Sequence, residues 1–409
     1  MTNILKVPQI LLPNQTVDRS KWATVACDQF CAEPEYWKRL ENFVDGAPST
    51  LRLVVPEIFL NGNMEPKINA VHKAMNDYIK QGLLTPYEGL ILVEREVSGG
   101  CKRIGLMVSF DLDAYDWRRV RVPVRATEDT LIERLPIRVE IRSKASLEFP
   151  HAILLVEDRQ KEIIETLYAN KDSYQKLYEF DLNMNGGKIT GYAVPNPEDI
   201  LQKLEALLDP SLQTSKYGDD AGILFAVGDG NHSLAAAKIW WDELKNSLTP
   251  AQRENHPARY MLAEVINIYG SGMNFQPIHR LLYNTDGEDF LKGLRHRLRG
   301  EGSLGIVTSD GIKYIEAPQD AATTIKLTQE FIEDYLKENT GVKIEYVHSA
   351  EHLNEVIAER GGMGLVMPAF PASSLFDYVV NVGNLPKKAF SIGEPEDKRY
   401  YLEAKKIVY

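Results

Sequence analysis

The stretch GILFAVGDGNHSLAAAKIWWDEL, Gly222 to Leu244, constrains this chain more than any other part of it. GILFAVG is a short apolar run closed by glycine, the pattern of a buried strand. SLAAAKIWWDELK is helical, and its alanines let a helix pack close to a sheet. The residues GDGNHS therefore make a strand-to-helix turn between two buried elements. Such a turn presents backbone N–H groups and the positive end of the helix dipole, which together favour an anion. Gly228 and Gly230 tolerate the backbone geometry and close ligand approach that bulkier residues resist. Asn231 and Ser233 can add donors to a phosphate, His232 is an acid/base candidate, and Asp229 can accept a proton or face a metal. A plainer reading stays open, in which Asp229 or Asn231 caps the helix and a backbone group satisfies His232. The turn is not a Walker loop, because no lysine follows the glycines at that spacing.

Elsewhere helical and strand patterns alternate without a regular βαβ series, which points to an α+β fold with mixed, largely antiparallel sheets and packed helices. EPKINAVHKAMNDYIKQG carries Ile68, Val71, Met75 and Ile79 at helical intervals and stops at Gly82. YEGLILVEREV and RIGLMVSFDLDAY read as a hairpin through Ser98-Gly99-Gly100. RQKEIIETLYANK and NPEDILQKLEALL read as helices, the second with Asn196 as N-cap and Pro197 at its first position. GLVMPAF and LFDYVVNVG read as C-terminal strands. At 409 residues the chain exceeds one ordinary core. The expected regions are 1–157, 158–284 with the GDGNHS turn, and 285–409 packing back on the core.

A net charge of -11 argues against a nucleic-acid partner, since a duplex would be repelled by most of the surface. There is no apolar run long enough to span a bilayer and no basic leader with a cleavage site, so the expectation is a cytoplasmic protein without a membrane partner. Cys27, Cys31 and Cys101 suit a reducing compartment. No second Cys or His pair completes a zinc set with Cys27 and Cys31, which are expected as reduced, partly buried thiols. His348 and His352 have helical spacing but lack a third ligand nearby, and Trp240-Trp241 reads as core.

Three further constellations have phosphate-binding residue types. VRATEDTLIERLPIRVEIR contains Arg125, Thr127 and Glu128, then Arg134, Arg138 and Arg142, which form one stripe if the segment is helical. Arginine forks suit phosphate or carboxylate, although a solvated face paired with Glu133 and Glu140 explains the stripe as well. His279-Arg280 in FQPIHRLLY can serve as a phosphate clamp or a base with its orienter, or can be structural. Lys387-Lys388 can reach a phosphate or simply be solvated.

GDGNHSLAAA is similar to the Asp-Gly-His-His-Arg-type motif of the domain of unknown function 1015 family. VRATEDTLIERLPIRVEIR resembles that family's His-Glu-x-Thr block, PIHRLL its Thr-His-Arg block, NLPKKAFSIG its C-terminal Pro-Lys segment and WATVACDQF its N-terminal segment. The resemblance spans nearly the whole chain. It departs where Asn231 and Ser233 stand for His and Arg, and where Arg125 stands for His. It implies a ParB-like nucleotide-binding core of the ParB-like and sulfiredoxin-like superfamily, related to an archaeal free-serine kinase. It also implies phosphoryl chemistry on a small phosphorylated metabolite or nucleotide, with serine or phosphoserine foremost. In that scheme Gly228, Gly230, Asn231 and Ser233 hold phosphate, with Arg125, Thr127, His279, Arg280, Lys387 and Lys388. His232, Asp229 or Glu128 moves the proton, and Mg²⁺ with ATP or ADP is the expected cofactor. The alternative is a non-catalytic nucleotide-binding regulator or adaptor.

Overall fold

Ile153–Val156 (ILLV) and Tyr260–Asn267 (YMLAEVIN) are strands whose residues are almost all buried, and they pair in parallel at the middle of one sheet. A computed structural model describes residues 3–25, 30, 33–60, 62–118 and 120–409. The chain divides into two compact units, one of Met1–Met273 with Pro395–Tyr409 and one of Asn274–Glu394.

The sheet of the first unit runs in the order Lys176–Asp181, Lys188–Ala193, Ile91–Val97, Cys101–Asp111, Tyr260–Asn267, Ile153–Val156, Phe225–Asp229, Val124–Ala126, Tyr115–Asp116. Leu5–Lys6 also pairs with Cys101–Asp111. The sheet is mixed: the pairs joining Tyr260–Asn267 with Ile153–Val156, and Val124–Ala126 with Phe225–Asp229 and Tyr115–Asp116, are parallel, while the other pairings are antiparallel. The Ser98–Gly100 turn closes the expected hairpin, with Gly99 at φ 78°. Strands buried on both faces need cover on both sides. The helix Ile164–Ala169 packs on the Ile91–Val97 and Cys101–Asp111 strands, and Asn231–Leu244 packs on the helix Leu135–Ser143. Ala235, Ala236 and Ala237 are all buried, as a close helix contact requires. Trp240 and Trp241 are core residues.

The C-terminal segment is stitched into this unit. The Trp22 indole donates to Leu402 O at 2.9 Å, Ala404 bridges Leu11, and Lys405–Lys406 pairs with Leu147–Glu148.

The second unit has an antiparallel sheet in the order Gly311–Ala317, Gly302–Thr308, Met363–Val366, His279–Tyr283, Lys343–Val347. The helices Gly287–Arg297, Ala321–Glu338, Ala350–Arg360 and Leu375–Asn381 belong to it. Its two ends meet: Phe275–Pro277 pairs with Phe390–Ile392, and Gly393 N–H donates to Asn274 O at 3.1 Å.

The units do not follow the expected boundaries at 157 and 284. Strands on both sides of residue 157 share one sheet, and the last fifteen residues return to it. LFDYVVN is a helix rather than a strand, because Leu375, Phe376 and Val379 bury one helical face. The helix in RQKEIIETLYANK is confined to Ile164–Ala169. His279-Arg280 opens the strand His279–Tyr283. In WATVACDQF, Trp22 ends a helix and Thr24 bridges Tyr401. Cys27 and Cys31 lie outside the described residues, and Cys101 is a free, exposed thiol. Among the described residues no helix is long and apolar enough to cross a membrane.

Candidate functional site

The GDGNHS turn takes its shape from what its neighbours leave open. Phe225–Asp229 lies between Val124–Ala126 and Ile153–Val156, and its ladder slips at Asp229, which faces Ile153 across a bulge. The Thr127 hydroxyl donates to Val227 O at 2.6 Å and pins the strand end. Gly230 then adopts φ 87°, ψ 20°. A Cβ there would stand 2.9 Å from the Cα of Ala152, so no other residue fits. The helix starts at Asn231 and no side chain caps it. That corrects the capping alternative: Asp229 Oδ1 accepts from Gly230 N–H at 2.8 Å, one residue ahead of the helix. With Gly230 as the N-cap residue, no cap comes from that position, and the positive helix end stands beside Asp229.

Three other segments close on the turn. Lys398, from the C-terminal segment, is buried and places Nζ 3.0 Å from Asp229 Oδ2. The Leu131 amide donates to His232 Nε2 at 3.3 Å. An amide can only donate, so Nε2 accepts and a neutral His232 carries its proton on Nδ1. Ser233 Oγ lies 3.3 Å from His151 Nε2, and the His151 ring meets Tyr401 edge-on at 5.1 Å. Asn231 Oδ1 is buried with no hydrogen-bond partner. A carboxylate, an ammonium, an oriented imidazole and a hydroxyl are thereby gathered at one helix end. Glu128 is half-buried on the segment between Thr127 and Leu131.

Arg125 is spent elsewhere. It is buried, its Nε donates to Val122 O at 2.9 Å, and its Nη2 donates to Ala221 O. Burial, with Arg121 nearby, lowers its pKa. It ties the Val124–Ala126 strand to the loop before Phe225. The segment after it is helical, and the arginines are half-buried: Arg138 donates to Arg134 O at 2.8 Å, and Arg142 pairs with Glu148 at 2.6 Å beneath the Trp240 ring.

The other expected phosphate ligands lie in the second unit. Met367 N–H donates to His279 Nδ1 at 3.1 Å. Burial, and then Arg280, bring the His279 pKa down to about 4. Arg280 is fully buried, donates to Gln329 Oε1 at 3.2 and 3.1 Å and to Ile278 O, and lies 5.3 Å from the Tyr346 ring. Both residues therefore brace their own unit. Lys387 pairs with Glu333 at 3.0 Å, and Lys388 sits at φ 60°. His352 pairs with Glu355 at 3.5 Å, and no cluster of three or more His, Cys, Asp or Glu among the described residues could hold a metal ion.

Sequence reading missed a layer of charge on the sheet of the first unit. Arg95, Arg103 and Glu264 are buried on adjacent strands, and the C-terminal segment lays Asp397, Lys398, Arg399 and Glu403 with them. Arg95 donates to Gly186 O at 2.8 Å and Glu396 O at 2.7 Å, and burial together with Arg103 brings its pKa to about 10. Arg399 lies 2.9 Å from Glu264 and 2.6 Å from Glu403. Burial opposes its charge, but these two carboxylates outweigh burial and raise its pKa. Charges inside the apolar runs KRIGLMVSF and MLAEVINI are the sequence signal for this layer. Two cavities lie away from the turn: one of about 250 Å³ between Tyr36, Met184 and Glu396, and one of about 480 Å³ in the second unit between Lys326, Phe370 and Tyr378.

The model of the family described as "Protein of unknown function (DUF1015)" matches residues 11–357. The chain belongs to that family. No curated protein matches this family member. Among solved structures it is similar to a free serine kinase in complex with AMP, at 11% identity over 74% of this chain and 92% of that one, with a TM-score of 0.40. It is also similar to a conserved hypothetical protein from Pyrococcus furiosus, at 9% identity over 72% and 90%, TM-score 0.37. A third likeness is to SbnI with a C-terminal truncation from Staphylococcus aureus, at 10% identity over 70% and 82%, TM-score 0.36. These likenesses are too distant to carry chemistry over to this family member.

Proposed function

We propose that this protein binds a phosphorylated ligand at the N-terminus of the Asn231–Leu244 helix and moves phosphoryl groups on a small metabolite, serine or phosphoserine first. The observation that carries this reading is the Lys398–Asp229 pair at a helix end whose N-cap residue is Gly230. Phosphate at this end gains the Lys398 ammonium, the helix dipole and the Ser233 hydroxyl, while Gly230 leaves room for close approach. Asp229 and His232 are the groups placed to move a proton, with Glu128 beside them, and Thr127 shapes the strand end. Arg125 supports the loop from behind. His279, Arg280 and Lys387 have partners within the second unit, at Met367, Gln329 and Glu333.

The resemblance also implies a ParB-like nucleotide-binding core, which we assign to the first unit, and Mg²⁺ with ATP or ADP. Mg²⁺ commonly uses one or two carboxylates plus substrate phosphates. Asp229 would hold the ion only by giving up Lys398 and its proton-moving role, which then falls to His232 or Glu128. When bound, the ion neutralises phosphate charge. A net charge of -11 leaves nucleic acid outside the proposal. The exposed, free Cys101 suits a cytoplasmic setting.

The test is incubation with serine plus ATP or ADP and, separately, with phosphoserine, following transfer and release of phosphate. Transfer that falls by about 10²-fold or more in His232→Ala fits a proton-moving role. Lys398→Met should raise the Kd for nucleotide at least tenfold with the fold intact. No transfer, with nucleotide binding unchanged in Lys398→Met, sinks the reading. Nucleotide stabilisation without turnover would favour the regulatory alternative.

A further inference from the structure

Ser233 Oγ and His151 Nε2 lie 3.3 Å apart, a hydroxyl and an imidazole within hydrogen-bond reach at the start of the Asn231–Leu244 helix. The backbone beneath them sets this distance. Asp229 stands opposite Ile153 across the strand ladder, and a Cβ on Gly230 would come within 2.9 Å of the Cα of Ala152. These two contacts hold His151, one residue earlier, against the first turn of the helix. The His151 ring also meets the Tyr401 ring edge-on at 5.1 Å, and Tyr401 N–H donates to Thr24 O at 2.8 Å. His151 and Ser233 are both half-buried, so a ligand can reach them.

A serine hydroxyl is a weak nucleophile until a neighbouring base takes its proton, and a base oriented by a third group is the arrangement that does so. The surroundings suit the charge that such an attack develops. Leu234 N–H bonds to Gly230 O at 3.0 Å, so Ser233 lies in the turn whose amides a helix leaves without intrahelical acceptors. The Lys398 ammonium stands at the same end, 3.0 Å from Asp229. A phosphate ester in a first turn is stabilised by the helix dipole and by a nearby cation. Thr130 Oγ1 and Asn231 Oδ1, on segments joined by the Leu131–His232 bond, are buried with no hydrogen-bond partner among the described residues. Buried polar atoms are nearly always bonded, so this end of the helix has the marks of a place that a polar ligand completes.

We propose that Ser233 is the nucleophile of a two-step transfer, with His151 as its base and phosphorylated Ser233 as the covalent intermediate. The proposal rests on the phosphoryl-transfer reading and gives it a route. In the first step Oγ attacks the terminal phosphorus of a nucleoside di- or triphosphate. The Oγ–P bond forms and the bridging P–O bond breaks. The nucleotide leaves one phosphoryl group shorter, and the hydroxyl proton passes to His151 Nε2. In the second step the acceptor's hydroxyl oxygen attacks the same phosphorus, its proton taken by His232, Asp229 or Glu128. The Oγ–P bond breaks, and the His151 imidazolium returns its proton to Ser233.

The test is a pulse–chase on the whole chain. The protein is mixed with ATP or ADP labelled in the terminal phosphate, chased with unlabelled nucleotide and serine, and quenched in parallel in acid and in alkali. Tandem mass spectrometry then maps the label. One phosphoryl group should appear on Ser233 within a turnover, survive acid as a phosphate ester does, and leave during the chase. Ser233→Ala should carry no label and lose transfer by about 10³-fold or more while nucleotide still binds. The wild-type labelling rate should rise with pH as an imidazole loses its proton. His151→Asn should label about 10²-fold more slowly, with that rise gone, which a purely structural role would not produce. Undiminished transfer in Ser233→Ala overturns the covalent route and leaves the phosphoryl-transfer reading standing. So does label that forms more slowly than turnover, or label that survives only alkali and so belongs to a histidine. Nucleotide binding with neither label nor transfer in the wild type removes both. Should a variant fail to fold, the wild-type pulse–chase decides alone.

Discussion

At the scale of single residues, Gly230 and His279 show how differently two expected site residues are used. Gly230 holds φ 87° with the Cα of Ala152 where its side chain would be. Gly230→Ala should cost about 2 kcal/mol of stability from the left-handed backbone alone, and more from the clash, read as a shifted urea midpoint at constant slope. His279 has its pKa at about 4 in the fold, against an ordinary value of 6.5. The unfolded chain therefore binds the extra proton between those values. Stability should be complete above pH 6.5 and should fall as the pH drops towards 4, by about 3 kcal/mol in all. His279→Asn keeps an acceptor for Met367 N–H and should flatten that slope; an unchanged slope contradicts the assignment. Gly230 was legible in the sequence because backbone demand selects glycine visibly, whereas Gly228 is ordinary strand backbone. His279, Arg280 and Arg125 were not: a phosphate ligand and a buried strut use the same side chain, and only its partners tell them apart.

Among elements, the helices were read best where apolar spacing persists over several turns, as in Glu65–Lys80 with Ile68, Val71 and Met75 buried. Leu375–Asn381 was misread because two turns rich in valine satisfy strand propensity as well as a helical face. Asn196 does precede Pro197 at a helix start, but it sits at φ 49° and makes no capping bond, so position was legible and mechanism was not. The C-terminal segment is the largest omission. EDKRYYLEAKK has the composition of a solvated tail, yet Arg399 and Glu403 are buried against Glu264. Charge in a sequence carries no label for the charge it will meet. Arg399→Met should cost about 3–5 kcal/mol, since it leaves two carboxylates buried without their cation. A loss below about 1 kcal/mol in equilibrium unfolding would show that water or other groups already neutralise them.

For the whole molecule, the second unit is an insertion between Met273 and Pro395. Its ends are bonded to each other through Asn274 and Gly393, and Leu281, Val307, Val347 and Leu353 cluster in its core. A fragment of residues 274–394 should fold alone, with dispersed amide proton spectra and a cooperative melt. Replacing 274–394 by a short flexible linker should leave the first unit folded; an aggregated product would show that the units are not separable. Length showed that the chain exceeds one core, but the three expected regions are two units, and insertion was not legible, because no turn or linker in the sequence announces that a chain will return to an earlier sheet. The joined ends also fix how the molecule carries load. Tension applied at the two chain termini enters the inserted unit along the chain at Asn274 and Glu394, neighbours at one end of an antiparallel pair. That geometry is unzipping rather than shear, so once the C-terminal segment peels away the inserted unit gives one rung at a time.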